Sequence, residues 1–69
     1  MGNHIKEIRL TLNITQQELA EFVGITRQHL RSIENMEKQP SIKISYLISK
    51  KLGVSMDELF YPYDELYRL

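Results

Sequence analysis

The residues best suited to chemistry lie between Thr26 and Asn35, where Arg27, Gln28, Arg31, Ser32 and Asn35 are grouped. On a helix of about 3.6 residues per turn, Leu30 and Ile33 mark one stripe. Gln28, Arg31, Ser32 and Asn35 fall on the opposite side. Gln bonds adenine through two hydrogen bonds, and Arg does the same with guanine or grips a phosphate, so this face suits reading base edges. Arg27 stands at the N-terminus of the same helix, and His29 is aimed less directly outward. Gln16 occupies the first turn of the preceding helix, where free N–H groups and the helix dipole favour an anion. Lys38 and Lys43 add positive charge downstream. Arg9 and Glu34 each fall beside the apolar stripe of their own helix, which steers both charges toward the interior edge.

Other chemistry finds no residues. His4 and His29 are the only histidines, there are no cysteines, and neither histidine sits in a carboxylate cluster with metal-ligand spacing. No glycine-rich phosphate loop or nucleophile elbow is present. The expectation is therefore no enzyme, no metal site and no cofactor. The absence of cysteine points to a reducing compartment, the cytoplasm. No apolar run is long enough for a membrane span or a secretory leader. Met1-Gly2-Asn3 opens like an N-myristoylation signal, but Lys6 stands where Ser or Thr is required.

The elements that must position these side chains follow from the punctuation. Asn3 is read as the cap of a first helix over 4–12, with Ile5, Ile8 and Leu12 inward and Asn13 ending it in a left-handed conformation. Thr15-Gln16-Gln17-Glu18 is a capping box opening a second helix, with Leu19, Ala20 and Val23 inward and Gly24 at its end. Thr26 caps a third helix over 27–35. Pro40-Ser41 opens a fourth that runs to Leu52, and Gly53 stops it. Ser55-Met56-Asp57-Glu58 is a second capping box, starting a short fifth helix through Phe60. No segment alternates like a strand. With 69 residues and 42% hydrophobic content, one small all-α domain is expected.

Two short-linked helices, the second capped by Thr26, form a helix-turn-helix pattern. Residues 15–60 resemble the phage repressor and Cro type of regulator, also called the xenobiotic-response-element family. Thr15-Gln16-Gln17-Glu18-Leu19-Ala20, Gly24-Ile25-Thr26-Arg27 and Ile33-Glu34-Asn35 carry the likeness, with Pro40-Ser41, Leu52-Gly53-Val54-Ser55 and Asp57-Glu58-Leu59-Phe60. The resemblance implies a five-helix lambda-repressor-like domain over 1–60. It implies double-stranded operator DNA as partner, contacted by Gln16, Thr26, Arg27, Gln28, Arg31, Ser32, Asn35 and Lys38, and an ion pair between Arg9 and Glu34. The family usually has glycine where Met36 stands and a basic loop where Glu37 precedes Lys38. The implied activity is that of a transcriptional repressor on a palindromic operator. An antitoxin-type autorepressor and a protein-interaction module on the same fold stay open as alternatives.

The formal charge is zero, but it is unevenly placed. Residues 1–52 hold eight basic against five acidic side chains, whereas residues 53–69 hold one against four. The first part faces a polyanion better than the last. The fourth helix is apolar nearly all round, and the segment 61–69 adds Tyr61, Tyr63, Leu66, Tyr67 and Leu69. One small core cannot absorb all of these. A homodimer is expected, with Ile44, Leu47, Phe60, Tyr61, Tyr63 and Leu66 at the interface and 61–69 as its extension.

Overall fold

The computed structural model describes residues 2–61, with only the backbone described at Tyr61. Five helices follow one another: α1 (Ile5–Thr11), α2 (Gln16–Val23), α3 (Arg27–Glu34), α4 (Ile42–Leu52) and α5 (Met56–Leu59). Four of the five N-caps, Thr15, Thr26, Ser41 and Ser55, fall where the sequence places them. Thr15 Oγ1 accepts from Glu18 N–H, and the Glu18 carboxylate accepts from Thr15 N–H, which completes the box. Thr26, Ser41 and Ser55 likewise accept from the third residue onward. These bonds satisfy amides that have no partner inside the helix. Gly24 and Gly53 end α2 and α4 at φ of 85° and 72°, a region that a Cβ makes costly. Asn13 adopts φ 59° after α1, as expected.

Four boundaries differ from the sequence reading, the smallest being that α3 ends at Glu34 with Asn35 as its C-cap. His4, not Asn3, occupies the cap position of α1 and makes no capping side-chain bond. The Asn3 side chain still serves that end, because its Oδ1 accepts from Ile5 N–H at 3.2 Å. Leu12 lies outside α1 and is exposed. Phe60 leaves α5 with φ −116° and ψ 126° and enters a two-residue strand. That strand, β2 (Phe60–Tyr61), pairs antiparallel with β1 (Gly2–Asn3), in the register Gly2 to Tyr61 and Asn3 to Phe60. His4 N–H extends the ladder to Leu59 O at 2.8 Å. Gly2 is thus buried within backbone pairing.

The core gathers Ile5 from α1, Leu19, Ala20 and Val23 from α2, and Leu30 and Ile33 from α3. Ile48, Leu52, Leu59 and Phe60 close it from the C-terminal side. Burying a side chain of this size stabilises by about 1.5–3 kcal/mol. The buried stripe of α4 is Ser45, Ile48, Ser49 and Leu52, so two of its four inward positions are small and polar. Ser49 Oγ donates to Tyr46 O at 2.7 Å, which removes the penalty for burying that hydroxyl. Ile42, by contrast, is 84% exposed.

Candidate nucleic-acid interface

α3 is placed by its two ends. At the start, Thr26 Oγ1 accepts from His29 N–H at 2.9 Å. At the finish, the Glu34 carboxylate turns inward and is gripped by Arg9 of α1. Arg9 Nε donates to Glu34 Oε2 at 2.8 Å, and Arg9 Nη2 donates to Glu34 Oε1 at 3.1 Å. Gln16 Nε2 adds a third donor to Oε1 at 3.1 Å. Arg9 Nη1 meanwhile donates to Ile14 O at 3.1 Å. The two charged side chains are only 7% and 2% exposed, so this two-pronged bond lies in a low-dielectric setting where it is strong and directional. It joins α1, α2 and α3 at one point. A further tie comes from Asn3, whose Nδ2 donates to Ile33 O at 3.0 Å.

The turn after α3 is tight. Glu37 N–H and Lys38 N–H both donate to Ser32 O, and Met36 sits at φ 63°. That left-handed conformation is the physical reason a glycine suits position 36.

Outside this anchored seam lies an open cleft of about 280 Å³, lined by Lys6, Gln16, Arg27, Gln28, Arg31, Glu34 and Asn35. Arg27, Gln28, Arg31 and Asn35 are exposed. None of their side chains makes a hydrogen bond or ion pair among the described residues. The structure therefore brings Gln16 together with four residues of the α3 face. Thr26 is exposed and capping, Ser32 and His29 are half-buried beside the face, and Lys38 and Lys43 are exposed away from the cleft lining. Lys6 belongs to this cleft but was not singled out in the sequence. A signal existed: it precedes the inward Arg9 by three residues and shares its side of α1.

Of the residues assigned to a dimer interface, Ile44 and Leu47 are half-buried and pack against the core. Phe60 is buried within it, at 8% exposure. The Tyr61 side chain, Tyr63, Leu66 and the extension from 62 onward lie outside the described residues. No group of His, Asp and Glu suited to holding a metal occurs among the described residues. No described helix is long and apolar enough to cross a membrane.

Consecutive helices α2 and α3, joined at Gly24 and capped by Thr26, with a polar outer face on the second, define a helix-turn-helix protein. A helix-turn-helix family model matches residues 5–59, and the chain belongs to that family of transcriptional regulators. It is 35% identical over 65 residues to an HTH-type transcriptional regulator of Methanocaldococcus jannaschii, across 94% of this chain and 98% of the relative. It is 34% identical to the regulator YgzD of Bacillus subtilis, with the same shares covered. The regulator SinR of Bacillus licheniformis is 36% identical over 66 residues, which span 94% of this chain and 60% of SinR. Among solved structures, the restriction-modification controller protein C.AhdI of Aeromonas hydrophila matches in fold. Its TM-score is 0.75 at 23% identity, over 81% of this chain and 85% of that one.

Proposed function

We propose that the chain binds a palindromic operator in double-stranded DNA as a homodimer and represses transcription by occluding the promoter. The observation that carries this reading is the outer face of α3. Arg27, Gln28, Arg31 and Asn35 line a solvent-open cleft and have no intramolecular side-chain bonds, while the helix beneath them is locked by Arg9, Gln16 and Glu34. A rigid helix carrying unengaged polar groups is what insertion into the major groove requires. On this reading Gln28, Arg27 and Ser32 read bases. Thr26, Arg31, Asn35 and Lys38 supply contacts to bases or phosphates along the same face. Gln16 is a phosphate-side residue that also buttresses Glu34.

Dimerisation accounts for the apolar surface left on the C-terminal third. Ile44 and Leu47 are incompletely buried, and the sequence continues past the buried Phe60 with Tyr61, Tyr63 and Leu66. Two copies place their recognition helices about 34 Å apart, in successive major grooves. The two half-sites then bind as one linked unit, which offsets a zero net charge. The test pairs selection of binding sites from a random duplex library with sedimentation equilibrium at micromolar protein. Enrichment of an inverted repeat and a dimeric mass support the reading. Failure to retain any duplex at low salt refutes DNA binding, and a monomer that enriches a single half-site refutes the dimer.

A further inference from the structure

We infer that Lys6 of α1 is a DNA-backbone contact, taking a phosphate oxygen at the edge of the groove that α3 enters. This rests on the DNA-binding reading and adds a residue from outside the helix-turn-helix unit. Three observations carry it. Lys6 is exposed and lines the same cleft as Arg27, Gln28 and Arg31. It has no ion pair among the described residues. The acidic neighbour on its own helix, Glu7, is turned instead to His4 Nδ1 at 2.8 Å. One helical turn away from Lys6, on either side, stand Gly2, Asn3, Arg9 and Leu10, so no acid lies within i±3 or i±4 reach.

The one carboxylate in the cleft wall, Glu34, does not oppose an incoming phosphate. Both its oxygens are occupied by Arg9, and one also by Gln16. The formal charges of the cleft left for a ligand are then Lys6, Arg27 and Arg31, all positive. Lysine presents a compact charge on a long flexible stem, which suits a phosphate better than the paired geometry of a base edge. A side chain from α1, flanking the reading helix, would fix register without reading sequence.

The experiment measures binding of wild type, Lys6→Gln and Lys6→Arg across a salt series. Two duplexes are used: one enriched from the random library by wild type, and an unselected one of equal length. Lys6→Gln is expected to weaken both duplexes alike and to lower the salt-dependence slope by about 0.9, one phosphate's worth. Its deficit against wild type then shrinks about 3.5-fold between about 50 and 200 mM salt. Lys6→Arg keeps the wild-type slope. An unchanged slope in Lys6→Gln overturns the inference, as does a loss confined to the enriched duplex, which would put Lys6 on a base. Either result leaves wild-type binding intact, whereas absence of binding by wild type removes the underlying DNA reading itself. Equal melting temperatures of the three proteins show that folding is not the cause.

Discussion

Replacing Glu34 with alanine should unfold a large part of this protein's margin of stability. The carboxylate is 2% exposed and receives three hydrogen bonds, two from Arg9 and one from Gln16. Its removal leaves the Arg9 guanidinium, itself 7% exposed, with Ile14 O as its remaining partner. Breaking a buried pair from one side costs about 3–5 kcal/mol, because an uncompensated charge is left in a poor solvent. The lower end applies here, since the Arg9 guanidinium keeps its bond to Ile14 O. A chain of this length has about 3–10 kcal/mol in all, so Glu34→Ala should melt about 15 °C lower. Urea denaturation of wild type, Arg9→Ala, Glu34→Ala and the double variant gives the coupling energy directly. It should exceed about 1.5 kcal/mol, and the double variant should be less damaged than the sum of the singles. Arg9→Met with Glu34→Leu, which replaces the pair by apolar volume, should recover most of the loss. A coupling energy indistinguishable from zero would refute the argument that the pair holds α3 in place.

Gln28→Ala should cost about 1–3 kcal/mol on an enriched duplex and little on a random one; equal loss on both in a mobility-shift titration removes Gln28 from base reading. Met36→Gly should stabilise by about 1 kcal/mol, because a side chain at φ 63° is strained; a lower urea midpoint would contradict this. Hydrogen bonds from the backbone and then the side chain of Thr15 hold the Glu18 carboxyl below its ordinary pKa. A depressed folded-state value means that this stabilisation is present above the unfolded pKa and fades as pH falls through the folded one. Glu18→Gln should therefore flatten the melting-temperature profile in the acid range; an unchanged profile would show that the capping box carries no titrating stability.

The helical plan was legible because each boundary is written in one or two residues. Thr15, Thr26, Ser41 and Ser55 can cap without tertiary help, and Gly24, Gly53 and Asn13 accept left-handed backbone. The Arg9–Glu34 pair was also legible, from wheel position together with family likeness. The β1–β2 pairing was not, since two residues per strand are too few to show alternation. Its effect was to move Phe60 out of α5 and to engage Asn3 with both Ile5 and Ile33. The serines inside α4 were hidden for another reason. A pattern of apolar residues marks Ile42 and Ile44 as readily as Ile48, and the choice between faces is made by packing against α1, α2 and α5. The one sequence signal for Lys6, its place three residues before the inward Arg9, has meaning only once the cleft around it is seen.

The anchoring of α3 through Glu34, Ile33 and Thr26 has a consequence for how such a protein changes over generations. Glu34, Ile33 and Thr26 hold the helix, whereas the side chains of Arg27, Gln28, Arg31 and Asn35 on its outer face make no bond to them or to any other described residue. Mutations at Arg27, Gln28, Arg31 and Asn35 can accumulate without passing through unfolded intermediates. The scaffold leaves these four positions free to change one substitution at a time, and a duplicated copy of the gene could diverge on this face while inheriting its fold intact.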